Sequence, residues 1–183
     1  MVVMTVPMAL LAFLDDGPSH GFALKRRYDG LLGQGRELKT GQVYSTLARL
    51  ERDGLARGVE IAKGEGPERR VYAITEGGVA ELEDWLREPH LPGARPTELF
   101  TKVILALVSG RRPDELLDEQ RAVYLARMRE LTAARHDSDV VGRLAGDYEI
   151  AHLQADLEWI SIAAARLDEI AAQVATAGEE AGR

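Results

Sequence analysis

From Ile150 to Val174 the chain repeats one spacing without a break: Ile150, Leu153, Leu157, Ile160, Ala164, Leu167, Ala171 and Val174 lie alternately three and four residues apart. That is the a/d pattern of a helix burying a single narrow seam. At 1.5 Å per residue, a helix of roughly thirty residues is about 45 Å long. A small domain has little core with which to cover so long a stripe. The pattern predicts a coiled-coil-like helix that pairs with a second copy of the chain, with packing on the preceding helix as the alternative.

The remainder has to fit into 183 residues, room for one medium domain or a small domain with a helical extension. With 45% hydrophobic and 29% charged residues the composition is that of a folded globular chain and not of a disordered one. No run approaches the roughly 18 apolar residues of a membrane span. Met1 to Pro7 has no charged segment of a secretory signal. The absence of cysteine excludes disulfide and thiolate chemistry. A cytoplasmic protein is expected.

Pro7 to Leu14 is apolar on all sides, which predicts a helix central to a core. Gly17-Pro18 ends it, and Ser19 is placed to cap a second helix with Leu24, Tyr28 and Leu31 on its inner line. After Gly33-Gln34-Gly35, a third helix begins with Thr40 as N-cap and stops at Gly54. Val43, Leu47 and Leu50 form its apolar face. Two helices joined by a short glycine-containing turn are a helix-turn-helix. Beyond Gly54 the period changes to two: Val59 and Ile61, then Val71 to Thr75, flank Gly64-Glu65-Gly66-Pro67-Glu68 as a β-hairpin. A hairpin in that position completes a winged helix-turn-helix.

On the outer face of the third helix lie Gln42, Ser45, Thr46 and Arg49, short hydrogen-bonding side chains with one long cation. Such a mixture suits base edges and phosphates in a major groove; an ordinary solvated face is the alternative. The net charge of −7 argues against nucleic acid until its distribution is considered. Residues 20–75 carry 11 Lys/Arg against 7 Asp/Glu, and the rest of the chain 12 against 23. A basic face on an acidic body still attracts phosphate, because screening makes the local field decisive. Lys63, Arg69 and Arg70 flank the hairpin tip as candidate phosphate contacts, and Lys25 and Lys39 of the helix-turn-helix are further candidates for DNA contact.

A fourth helix, with Val79, Leu82, Trp85 and Leu86 on one face, leads to Pro89-His90-Leu91-Pro92-Gly93-Ala94-Arg95-Pro96, the clearest boundary in the chain. Everything after it reads as helix. The expected division is a winged domain over 1–88, a linker over 89–96 and a helical dimerisation domain over 97–183. The fold class is mainly α with a small β-hairpin. Trp85 at the end of the winged domain, Phe100 just beyond the boundary and Trp159 inside the heptad helix but off its a/d line are candidates to line an effector pocket, with simple packing as the alternative.

Enzyme chemistry finds little support. There is no Gly-rich phosphate loop and no Gly-x-Ser-x-Gly elbow. Glu149-x-x-His152 has the spacing of one arm of a carboxylate-bridged metal site but lacks a second copy. No cofactor or metal is expected. Two function classes remain: a DNA-binding regulator, and a winged-helix module that binds protein and would show apolar residues where Gln42, Ser45, Thr46 and Arg49 stand.

Several fragments carry a resemblance. His20-Gly21-Phe22, Gly41-x-x-Tyr44, Leu47-x-x-Leu50-Glu51-x-x-Gly54-Leu55 and Arg69-Arg70-x-Tyr72-x-Ile74-Thr75-x-x-Gly78 occur in an order and spacing that resemble the PadR family of bacterial transcriptional regulators. Phe22, Thr40 and Ser45 depart from its common pattern, which has tyrosine at the first position and prolines at the other two. The resemblance implies a homodimeric winged-helix protein, usually a repressor, that binds double-stranded DNA at an inverted repeat and is released by a small-molecule effector. It also implies phosphate-contact roles for Tyr44 and His20; a packed or capping side chain is the alternative for each.

Overall fold

The computed structural model describes residues 5–33, 37–59, 70–90, 96–136 and 138–181. Helix α1 (Thr5–Asp15) is buried along its whole length from Val6 to Leu14, as its apolar circumference requires, and α2, α3, α4, α5 and the sheet all pack on it. Strand β1 (Ser19–His20) leads into α2 (Gly21–Leu31). Its cap is His20 and not Ser19: His20 Nδ1 accepts the Ala23 N–H at 3.0 Å. Before α3 (Thr40–Arg52), Lys39 takes the N-cap position without a side-chain bond, so Thr40 is the first helical residue and not the cap. Gly54, at φ +75°, closes α3 where the sequence suggests. Its N–H reaches Glu51 O and that of Leu55 reaches Leu50 O, at 3.1 and 2.8 Å.

Strands β2 (Ala56–Val59) and β3 (Val71–Ile74) form the expected antiparallel hairpin, although β2 starts before the alternation suggests and Ile61 lies outside the described residues. The third strand is unforeseen. β1 pairs with the other edge of β3, Ser19 opposite Tyr72 and His20 opposite Val71, giving the order β1-β3-β2. Thr75 caps α4 (Glu76–Arg87) by accepting the Gly78 N–H at 3.1 Å, while its hydroxyl donates to Gly54 O at 2.7 Å, so one side chain ties the end of α3 to the start of α4.

Four helices follow: α5 (Pro96–Val108), α6 (Pro113–Ala134), α7 (Val140–Ala164) and α8 (Leu167–Ala181). Because Pro96 opens α5, the linker ends one residue sooner than proposed, and its residues 91–95 lie outside the described part. The first core cluster joins α1, Leu24, Val43, Leu47, Leu50, Tyr72, Leu82 and Trp85 to Ile104, Leu105 and Val108 of α5 and Val174 of α8. It crosses the boundary drawn from the prolines. The second cluster lies among α5, α6 and α7.

That second cluster corrects the heptad expectation. Leu153 and Ile160 are buried within the chain beside Leu157 and Leu167, against Leu99 and Val103 of α5 and Leu117 and Tyr124 of α6. Ile150 is half-buried and Ala164 exposed, and the helix is interrupted at Ala165 and Arg166. Leu153, Leu157, Ile160 and Leu167 of the seam therefore pack within the chain on α5 and α6, whereas Ile150 and Ala164 stand outside that cluster. Arg127–Glu149 and Arg135–Asp147 ion pairs, with closest approaches of 2.7 and 3.2 Å, border the α6–α7 contact. Among the described residues no helix is long and apolar enough to cross a membrane.

Candidate nucleic-acid interface

The inner face of α3 holds the helix against the core through Val43, Leu47 and Leu50, which leaves Lys39, Thr40, Gln42 and Ser45 exposed and Arg49 half-buried. Gln42 O accepts from Ser45 Oγ at 3.1 Å and from Thr46 Oγ1 at 2.7 Å. Thr46 itself is buried. Its hydroxyl serves its own helix, so the expectation that Thr46 belongs to the outward set is corrected.

Asp29 positions the approach to α3. Its Oδ1 accepts the Leu38 N–H at 2.7 Å, and its Oδ2 holds Lys25 Nζ at 2.6 Å. Glu37 lies 3.6 Å from the same ammonium. These carboxylates raise the Lys25 pKa, the Asp29 hydrogen bond foremost. Lys25 is thus an internal tie of the helix-turn-helix rather than a cation offered to DNA.

Tyr44 stands 46% exposed, with its ring against Gly21. A Cβ at position 21 would lie 2.8 Å from Tyr44 Cε1, closer than side-chain contacts allow. The small residue between His20 and Phe22 is therefore a seat for this ring. Phe22, 55% exposed, is a surface aromatic that reasoning from polar contact residues missed. His20 takes the capping role left open for it, because Nδ1 is already accepting from Ala23.

On the wing, Lys63 and Arg69 lie outside the described residues. Arg70 is described and engaged: Nη2 meets Glu51 Oε1 at 2.5 Å, and its guanidinium carbon lies 5.4 Å from the Tyr72 ring centre. Glu51 also accepts the Gly58 N–H at 3.1 Å, which locks the wing to the end of α3. Among the described cations of residues 20–75, Lys25, Arg27, Arg52 and Arg70 are ion-paired. Lys39, Arg49 and Arg57 have no ion pair among the described residues. Arg57, exposed on β2, is the other residue missed; its alternation with buried Ala56 was the available signal.

The aromatic residues offered for an effector pocket do not gather into one. Trp85 is buried in the first cluster, with Lys102 Nζ 5.0 Å from its ring centre, and Phe100 packs on the same cluster. Trp159 packs on the second. Lys102, also buried, donates to Glu88 O, and Gln120 clasps the His90 backbone through both amide atoms at 2.7 and 2.8 Å. Burial lowers the pKa of both Lys102 and His90. The cavity beside Lys102 and Gln120 is about 20 Å³, room for one water molecule.

Residues 10–84 match the family model described as the Transcriptional regulator PadR-like family. The chain is 32% identical over 112 residues to the probable transcriptional regulator Rv1176c of Mycobacterium tuberculosis, an alignment covering 58% of this chain and 59% of that protein. It thus spans under two thirds of that relative's length. It is 26% identical over 125 residues to the negative transcriptional regulator PadR of Bacillus subtilis, covering 67% and 69% of the two chains. Among solved structures it is similar to Bacillus subtilis PadR in complex with operator DNA, at 22% identity and a TM-score of 0.43 over 85% of this chain and 95% of that one.

Proposed function

We propose, from the match of residues 10–84 to the PadR-like family model, that this chain is a PadR-like transcriptional regulator acting as a sequence-specific DNA-binding repressor. The observation that carries the reading is the outer face of α3: Lys39, Thr40, Gln42 and Ser45 exposed, with Arg49 free of any carboxylate among the described residues. A groove-reading helix needs this, because a base-contacting guanidinium cannot already be neutralised. Tyr44, together with Lys63, Arg69 and Arg57 around the wing, provides phosphate contacts that position the helix without reading sequence. The named relative that regulates negatively supports repression over activation. The regulator works in the cytoplasm, has no catalytic role and answers to a small-molecule effector.

It acts as a homodimer. Since Leu153, Leu157, Ile160 and Leu167 are covered within the chain, the surface for a second copy is the outer face of α7. Val141, Leu144 and Tyr148 are 74%, 71% and 68% exposed there. They repeat the three-four spacing of a heptad, continued by Ala151, Ala155 and, after Glu158, Ile162. So large an apolar stripe is seldom left in water. Two winged parts held in one dimer read an inverted repeat.

The experiment is a binding assay on the intergenic DNA beside the gene, searched for an inverted repeat. Arg49→Ala should weaken binding to that repeat by about 1–3 kcal/mol while leaving the fold intact. Unchanged affinity in a folded protein rejects the role of Arg49. A wild-type protein without preference for the repeat over random DNA rejects sequence-specific binding altogether, and a protein-binding winged helix then takes its place.

A further inference from the structure

The prolines mark a linker over 89–96, but the chain leaving α4 is held at both backbone groups of one residue. Gln120 of α6 accepts the His90 N–H through Oε1 at 2.8 Å and donates from Nε2 to His90 O at 2.7 Å. His90 and Gln120 are only 6% and 4% exposed. Two residues earlier, Lys102 of α5, also buried, donates to Glu88 O. With a cavity of only about 20 Å³ beside these side chains, solvent has little room to replace both amide bonds.

That clasp sits at the base of a lever. Helices α5 and α8 pack on α1 and α2, so they belong with the winged half. Helices α6 and α7 then form an antiparallel pair that stands on α5 through the second cluster. Arg121, next to Gln120, bonds to Ser161, and Arg135 pairs with Asp147 at the other end, so the pair runs on for about 20 Å past the clasp. Val141, Leu144 and Tyr148, on the face proposed for a second copy, lie at that far end. A tilt of roughly ten degrees at the clasp moves them by about 3.5 Å, close to the rise of one base pair.

We propose that Gln120, through its clasp on His90, fixes the half-site spacing that the dimer accepts. The inference rests on the reading above of a dimer paired through α7 on an inverted repeat. The apolar contacts of the second cluster attract without direction and so tolerate small tilts of α6. An amide bonded at both of its polar atoms is directional, and it holds α6 in position and rotation against the end of α4. Gln120 is buried, so it positions the reading helix and does not touch DNA.

The test binds the full chain to a set of inverted repeats that differ only in spacer length. Wild-type protein should favour one spacing and bind repeats one or two base pairs longer or shorter about a hundredfold more weakly, because one half-site is then left unengaged. Gln120→Leu keeps the bulk but makes neither bond, and Gln120→Glu keeps only an acceptor for the His90 N–H. In either variant the difference between spacings should shrink to about tenfold or less, with the best spacing bound less tightly. Loss of stability alone lowers affinity by one factor at every spacing and leaves the preference intact. Leu117→Val, which loosens the second cluster and leaves Gln120 in place, should behave in that way. Hydrogen exchange of the wild-type chain reports on the clasp even where a variant fails to fold. The His90 amide, outside any helix or strand, should exchange about as slowly as the inner amides of α4. A sharp preference kept by a folded Gln120 variant, an equal broadening in Leu117→Val, or a His90 amide exchanging at the rate of open chain overturns the inference alone. A wild-type protein that binds every spacing and random DNA alike overturns the dimeric, sequence-specific reading and the inference with it.

Discussion

Gly21 and Tyr44 are twenty-three positions apart in sequence and touch because α3 lies across the start of α2. Gly21→Ala forces a Cβ to within 2.8 Å of the Tyr44 ring, and overpacking of this kind typically costs about 1–3 kcal/mol. Chemical denaturation should record that loss, and most of it should return when Tyr44→Ala is added, whereas additive losses would show that the two do not meet. Thr46 offers the converse case. Taking 100° per residue from Gln42, the buried Val43, Leu47 and Leu50 span about 80–140° of the helix and Thr46 falls at about 40°, nearest of the outward set to the core. Spacing alone could not tell on which side of that edge it lies; packing decides, and buries it. Thr46→Val should leave affinity for the inverted repeat unchanged, while Gln42→Ala reduces it by about 1–3 kcal/mol. Equal losses in the two variants would return Thr46 to the contact surface.

Elements whose signals are local were legible. The all-apolar α1, the Gly54 stop and the paired strands around the Gly/Pro loop all follow from residues adjacent in sequence. Strand β1 was not legible, since two residues carry no periodicity; Ser19 and His20 are strand only because β3 presents an unpaired edge to them. Nor was the break between α7 and α8, where neither glycine nor proline interrupts the chain. The heptad spacing continues across it, but α8 turns to lay Ile170 and Val174 on the first cluster. Long-range attachment also sets the state of the wing. With Glu51 paired to Arg70, one cation of the candidate interface is neutralised by α3 itself. Glu51→Gln should release it, raise affinity for random and specific DNA alike, and steepen the salt dependence by up to about one unit, the amount of one added phosphate contact. A salt slope that stayed the same would show that Arg70 remains turned away from DNA.

For the molecule as a whole, two stripes on one helix have opposite assignments. Leu157 is partly buried against the cluster shared by α6 and α7, so Leu157→Asp, which brings a charge to that apolar contact, should lower the stability of the helical half. Leu144→Asp, on the exposed stripe, should retain the circular dichroism and melting of a folded chain while sedimenting as a monomer. A dimeric, folded Leu144→Asp protein would move the interface elsewhere. The spacing of the inner stripe was plain in the sequence, but its partner was not, because a seam looks the same whether a neighbouring helix or another copy covers it. The return of α8 also has a meaning in time. Val6 and Val174 share one cluster, and a ribosome makes the first long before the last, at about 5–20 residues per second. On the order of ten seconds separates the emergence of α3 from that of α8, and until α8 arrives the flank of α2, and that of α5 once it is made, stay bare. The part proposed to face DNA gains its last packing partner only when α8 emerges, so a chain that stops before α8 leaves apolar surface bare instead of making a smaller working reader.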